Sequence, residues 1–317
     1  MPRTADSVNL RLIGKVSSMY YDQQLNQQEI ADRLRLSRPR VSRLLKQARE
    51  LGVVKISVVT PEGTFPELER RLEERYALKE ALVADADAGD SKETVHRRLG
   101  YLAARYLQRV TAEEEVIGVT WGSTLQAMVD AMPPRSIRGV HVVQTLGGVG
   151  RAEARAHASD ISRRLAQRLN ARLTLLPAPG ITGSAEARRV LMADRQVQVS
   201  LALLSSVDTL YVGLGSLDSN PLLASDSSEL ARELAADIRS LGAVGDIAMR
   251  FFDAQGRLVP ARMHELVVGI TDEQIRSIPT VVGVSGGPGK ASVVKATLAG
   301  RYVQVLVTDR QTAEQLV

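Results

Sequence analysis

Cysteine is absent from the 317 residues, which rules out disulfides, thiolate-bound zinc and a cysteine nucleophile together. Aromatic side chains are scarce at 3% of the chain, with Trp121 its single tryptophan. That is too few for the interleaved aromatic platforms on which single-stranded bases stack. The four histidines, His96, His141, His157 and His264, show no metal-ligand spacing and read as surface or packing residues. No apolar run approaches the roughly 18 residues that a membrane span needs, and "MPRTADSVNL" lacks the apolar core of a signal peptide. The expectation is a cytoplasmic protein with no membrane partner, no metal and no cofactor.

What the chain does have is an apolar fraction of 44%, enough for a sizeable core in two domains, or in one large domain with an appendage. Its charge is lopsided. Residues 1–60 carry 11 Lys/Arg against 5 Asp/Glu, and residues 61–317 carry 30 against 31, so the excess positive charge sits entirely in the first fifth of the chain. A basic module joined to a neutral remainder suits a protein that touches a polyanion with one end only.

The basic end has a readable architecture. "VNLRLIGKVSSMYYD" spaces Leu12, Ile13, Val16, Met19 and Tyr20 along one helical stripe. Asn26 and Glu29 form a capping-box pair for a short second helix. "RLS" turns the chain, and Ser37 is placed to cap a third helix with Pro39 in its first turn. That helix turns Val41, Leu44, Leu45 and Ala48 inward, Pro39, Arg43 and Lys46 outward, and Arg40 and Ser42 to the flanks. Gly52 ends it, and "VVKISVV" reads as a short strand, a small wing. This is a helix-turn-helix arrangement whose third helix suits the DNA major groove. Arg40 and Arg43 are expected to read base edges and Arg38 and Lys46 to hold phosphates, with Gln28, Ser37, Pro39 and Ser42 completing the surface. The competing reading is a solvated basic face.

Residues 61–80 read as a connector: "TPEGTFP" breaks structure, and "ELERRLEERYAL" is an amphipathic helix serving as a solvated face or a dimer contact. From residue 81 to 317, apolar strands alternate with amphipathic helices, which predicts an α/β domain with a parallel sheet covered on both faces. The strand candidates are "EALVAD", "EVIGVTWG", "VHVVQTLGG", "RLTLLPAP", "DTLYVGLGS", "TVVGVSGG" and "YVQVLVTD". Four strand ends carry small polar loops: "GVTWGSTL", "QTLGGVG" with Gly147 and Gly148, "GLGSL" and "GVSGGPGK". Ligands bind at such carboxyl ends, where glycine admits close approach and helix N-termini favour anions. Ser123 and Thr124 add hydroxyls, and Lys290 adds a full charge. Converging, these loops would form a pocket for a phosphorylated or polyhydroxylated ligand; singly, each is a tight turn. "GVSGGPGKAS" is not a P-loop, because Gly283 is one residue too far from Gly289 and Ala291 replaces the metal-binding hydroxyl. "GLGSLDS" and "GGVGRA" lack the full dinucleotide spacing.

The run "LNQQEIADRLRLSRPRVSRLLKQARELGVVKI" resembles the helix-turn-helix of the SorC family of bacterial sugar-responsive transcription regulators, and the resemblance extends over nearly the whole chain. It implies a Rossmann-like effector domain similar to sugar-phosphate isomerases and glucosamine-phosphate deaminases, through "GVTWGSTL", "LPAPGI", "YVGLGSL", "AVGDIAMRFFDAQG" and "GGPGKASVVKATLAGRYVQVLVTD". By that resemblance Gly122, Ser123, Thr124, Gly213, Gly215, Ser216 and Lys290 hold the effector's phosphate or its neighbouring atoms, and Asp246 falls near the sugar end. The partners implied are double-stranded operator DNA, a small sugar or sugar phosphate, and further copies of the chain in a homodimer or homotetramer. An isomerase or deaminase with an added DNA-binding module is the second reading. It needs an acid/base pair, for which the loops offer Asp246 and Asp218. An RNA-binding scaffold is the third reading.

Overall fold

The computed structural model describes residues 4–56, 61–87, 89–148, 152–219 and 229–317, without the side chains of 4–8, 152–158 and 219. The chain divides into two compact units, Met1–Pro61 and Glu62–Val317.

The first unit contains helices α1 (Thr4–Tyr21), α2 (Gln27–Leu34) and α3 (Arg38–Glu50). Ile13, Val16 and Met19 of α1, Ile30 and Ala31 of α2, and Val41, Leu44, Leu45 and Ala48 of α3 close one small core. The capping box forms as read. Asn26 Oδ1 accepts from Gln28 and Glu29 N–H, while Glu29 Oε2 accepts from Asn26 N–H at 2.8 Å. Arg35, in the left-handed region at φ 51°, ends α2 and starts the turn into α3. Two local expectations differ. Ser37 holds the N-cap position of α3 with extended backbone, but its hydroxyl makes no capping bond. Residues 53–54 bend and 55–56 have no regular structure, in place of the expected wing strand, whose remainder, 57–59, lies outside the described residues. A strand's backbone groups need a neighbouring strand, and the described elements of this unit are all helices.

In the second unit, nine strands are present among the described residues: β1 (Glu80–Ala84), β2 (Val116–Val119), β3 (His141–Gln144), β4 (Arg172–Thr174), β5 (Thr209–Ser216), β6 (Gly245–Ile247), β7 (Arg250–Phe252), β8 (Thr280–Val284) and β9 (Val305–Asp309). Seven run parallel in the order β1-β9-β8-β5-β2-β3-β4, and β6 and β7 form an antiparallel hairpin on the end of β5. The seven are the strands expected from the sequence. Alternate residues feed opposite faces, as the pleat requires. Tyr211, Val282, Val305 and Val307 join the core under helices α5 (Lys92–Val110), α6 (Ser123–Ala131) and α7 (Ala152–Leu169). Leu210, Val212, Val281 and Leu306 join the core on the other face.

Helix α4 (Pro66–Tyr76), within the segment read as a connector, packs on that second face. Leu72 is fully buried there, a burial that contributes roughly 2–3 kcal/mol. Glu69 and Glu73 accept from Val83 and Ala81 N–H on edge strand β1, and Tyr76 Oη donates to the Leu316 carbonyl at 2.8 Å. Capping a sheet edge with carboxylates satisfies groups that would otherwise invite another strand.

Candidate functional site

The sheet order fixes where a ligand can sit. From β2 the chain proceeds outward through β3 and β4, then returns to place β5 on the other side of β2 and continues outward through β8 and β9. Connections therefore leave β2 and β5 in opposite directions, and a crevice opens at their carboxyl ends. A cavity of about 310 Å³ occupies it, at the small end of ligand sites and of a size for one small molecule. Thr120, Trp121, Gly122, Ser123 and Thr124 contribute from the β2–α6 junction, Gly213 and Gly215 from β5, Val284 to Gly286 from the end of β8, and Asp246, Ala248 and Met249 from the β6–β7 hairpin.

Each wall has a local cause. Gly122 caps α6 at φ 143°, backbone that is essentially restricted to glycine. It leads Ser123 and Thr124 into the helix start, and Thr124 Oγ1 donates to the Val284 carbonyl at 3.2 Å, tying the β2 and β8 loops. A Cβ on Gly215 would stand 2.3 Å from Asp246 Oδ1, so the missing side chain is what admits the carboxylate. Asp246 is 6% exposed and its Oδ2 accepts from Met249 N–H at 3.0 Å, closing the hairpin turn. Ala248 and Met249 both have positive φ, 50° and 63°, the backbone of a two-residue type I′ turn. The loop after β8 is held from behind: buried Asp309 accepts from Gly287 N–H at 2.6 Å and from Thr312 N–H and Oγ1. A Cβ on Gly286 would collide with that carboxylate.

The cavity carries cations from two helices. Lys290, at the start of helix Ala291–Ala299, donates to the Leu214 carbonyl at 3.2 Å. Burial holds its pKa below the usual lysine range, Asp246 opposes that shift and Lys92 adds to it. Lys92 and His96, on the first turns of α5, also line the cavity. His96 Nε2 lies 3.5 Å from Ser123 Oγ. Its pKa is lowered by burial first, then by Lys92 and Lys290.

Of the expected effector residues, Gly122, Ser123, Thr124, Gly213, Gly215, Asp246 and Lys290 meet in this cavity. Gly147, Gly148 and Ser216 are not among its lining residues. Gly147 N–H donates to Val268 and the Gly148 carbonyl accepts from Gly180, with a Cβ on Gly147 only 2.5 Å from the Ala178 carbonyl. That loop is a close backbone crossing, and Leu146 beside it reaches the cavity instead. Ser216 pairs with Gly245 at the hairpin base. Asp218 is exposed and outside the lining. His264 is a packing residue, as expected. Its Nε2 accepts from Phe251 N–H at 2.9 Å, and burial, then Arg250, pushes its pKa down to about 4. His141 pairs with Thr174 Oγ1 at 2.9 Å, and the side chain of His157 lies outside the described residues. His96 departs from the surface-or-packing expectation, and no sequence motif marks Lys92. Both sit at the start of an amphipathic helix whose facing is set by strand order, which single-sequence periodicity does not carry. Among the described residues no cluster of three or more His, Asp or Glu could hold a metal ion, and no helix is long and apolar enough to cross a membrane.

In the first unit, Gln28, Ser37, Arg38, Pro39, Arg40, Ser42, Arg43 and Lys46 are all exposed, with Pro39, Arg43 and Lys46 opposite the buried stripe of α3. Lys46 meets Glu50 at 3.8 Å with both side chains in solvent, a pairing worth little that a phosphate can displace.

The family Sugar-bind, a sugar-binding domain, matches residues 61–317, and Sigma-70 region 4 matches residues 16–50. The chain is 32% identical to the sorbitol operon regulator of Klebsiella pneumoniae, over 98% of this chain and 99% of that protein. The crystal structure of that full-length regulator, SorC, superposes with a TM-score of 0.72 over 97% of this chain and 99% of its own. The deoxyribonucleoside regulator of Bacillus subtilis is 30% identical over 96% of both chains. The transcriptional regulator LsrR of Escherichia coli K12 is 30% identical over 96% of this chain and 94% of its own.

Proposed function

The chain belongs to the SorC family of transcriptional regulators with a sugar-binding domain, and on that premise we propose that it is a DNA-binding regulator of carbohydrate metabolism switched by a small anionic sugar. The observation that carries this reading is the switch-point cavity, where hydroxyls of Ser123 and Thr124, the starts of two helices and Lys290 face one space large enough for a single sugar phosphate. Helix N-termini and an ammonium attract the anion, and Asp246 and the neighbouring backbone accept from sugar hydroxyls.

Residues 1–60 are assigned to operator recognition and 81–317 to effector binding and self-association. In the first part, Arg40 and Arg43 read base edges from the major groove, Arg38 and Lys46 hold phosphates, and Gln28, Ser37, Pro39 and Ser42 complete the contact surface. One helix-turn-helix reaches too few base pairs for high specificity, and two-fold repetition is the usual remedy. A homodimer or homotetramer follows. The relatives carry regulators' names, and this reading assigns the cavity to binding, not to turnover.

Ligands that bind only the native state raise its stability by mass action, about 2.7 kcal/mol at a hundred times Kd. A thermal-shift screen of sugar phosphates beside their unphosphorylated parents is expected to raise the midpoint with a phosphorylated member alone. Stabilisation by neutral sugars with no response to any phosphorylated one would contradict the anionic assignment.

A further inference from the structure

The effector cavity has a second basic wall beyond Lys290. Helix α5 starts at Lys92, one helical turn before His96, and both side chains line the cavity. The next residue toward the core, Val95, abuts the loop that precedes Lys290, since a Cβ on Gly287 would lie 3.6 Å from Val95 Cγ1. The start of α5 is thus packed directly on the Gly-rich loop after β8. Ser123 Oγ, at the start of α6, closes the third side at 3.5 Å from His96 Nε2.

Three groups that are or can become cationic therefore surround one small space. The acidic group in that space, Asp246, is engaged at the hairpin turn with Met249 N–H, and Asp309 is committed behind the loop to Gly287 and Thr312. We propose that Lys92 and His96 join Lys290 in holding the anionic group of the effector, and that His96 takes up a proton as that group binds. The inference rests on the reading of this cavity as an anion-binding effector site.

The physical reason is a balance of charge. Without a ligand, the imidazole faces Lys92 on its own helix, Lys290 across the crevice and the neutral Ser123 hydroxyl, in a half-buried position. Partial burial first, and then the two like charges, disfavour its protonated form. A phosphoryl dianion seated between the lysines reverses the sign of the field at His96 and supplies a charged acceptor for a second N–H. Binding and protonation then reinforce one another by linkage. Affinity for the dianion rises as pH falls through the ligand-bound pKa of His96 and levels off below its free pKa.

The test uses the full chain, ribose 5-phosphate, inorganic phosphate and ribose, and the variants Lys92→Ala and His96→Gln. Isothermal titration at pH 7 in two buffers of different ionisation enthalpy counts protons taken up per ligand. Binding of the dianion releases protons from the probe's own second ionisation in parent and variant alike, so the parent is expected to take up more protons per phosphorylated ligand than His96→Gln, the difference being the fraction gained by His96. Lys92→Ala, at an exposed position, is expected to weaken the phosphorylated probes on the order of tenfold and to leave ribose unchanged. Parent and His96→Gln with equal proton counts, or Lys92→Ala binding like the parent, would overturn the inference alone. If neither phosphorylated probe binds the parent, the anion-site reading itself fails and this inference with it.

Discussion

The glycines around the cavity differ in what their missing side chain does. At Gly215 it leaves room for Asp246, and a methyl group there would meet a buried carboxylate that cannot retreat without opening the β6–β7 turn. Gly213 is different. A Cβ at that position would stand 3.7 Å from the Trp121 carbonyl and 3.8 Å from Thr124 Oγ1, ordinary contacts with two residues of the cavity wall. Its backbone is that of a strand, which alanine adopts freely. Gly213→Ala should therefore fold normally, with thermal stability unchanged or higher by up to about 1 kcal/mol from the stiffer unfolded chain. The added methyl narrows the space beside Thr124, so affinity for the proposed phosphorylated effector should fall by about tenfold or more. Calorimetric unfolding beside ligand titration checks both halves, and a variant that binds as the parent does would remove Gly213 from the site. Most of these residues were legible in the sequence as glycines and hydroxyls at strand ends. Gly147 and Gly148 fit the same pattern but serve a backbone crossing, a difference set by which loops meet in space.

At the scale of elements, short-range rules were most readable where cap, turn and apolar stripe coincide. Asn26 and Glu29 fixed the start of α2, and the four buried positions of α3 leave its outward set determined by helical geometry. The seven parallel strands were readable as apolar runs, because both faces are covered. The β6–β7 hairpin was not. Its strands are three residues each, and Ala248 and Met249 adopt positive φ where Asn-Gly is the usual signal. Asp246 closes the turn locally by accepting from Met249 N–H, and the rest of the support is tertiary, Arg250 Nε donating to the Ile270 carbonyl at 3.0 Å. The proposed division of labour on α3 makes a further test at this scale. Arg43→Ala is expected to cost roughly 1–3 kcal/mol of operator binding and to relax sequence preference. Lys46→Ala should weaken all DNA sequences alike and reduce the salt slope by about one unit. Fluorescence anisotropy on operator and scrambled DNA across a salt series separates the two. Identical behaviour of both variants and the parent would return α3 to a solvated basic face.

For the whole molecule, function depends on the order of strands in space. The crevice exists because β5 returns to the far side of β2, a topological fact with no local sequence signal. Helix α3 and the cavity lie in separate compact units, so under the proposed function a ligand changes operator affinity only by preferring one state of the proposed assembly over another. A coupling of about 1–3 kcal/mol, typical of allosteric proteins, corresponds to about 5- to 150-fold. Lys290 tests the link most directly, since it lines the cavity and lies outside the DNA-binding unit. The decisive measurement is operator affinity of the parent and of Lys290→Ala, each with and without the phosphorylated sugar that stabilises the parent. The effector is expected to shift the parent's affinity at least about fivefold, while Lys290→Ala binds operator like the unliganded parent and ignores the effector at the same concentration. A variant that still responds to the effector at the parent's concentration would contradict that expectation.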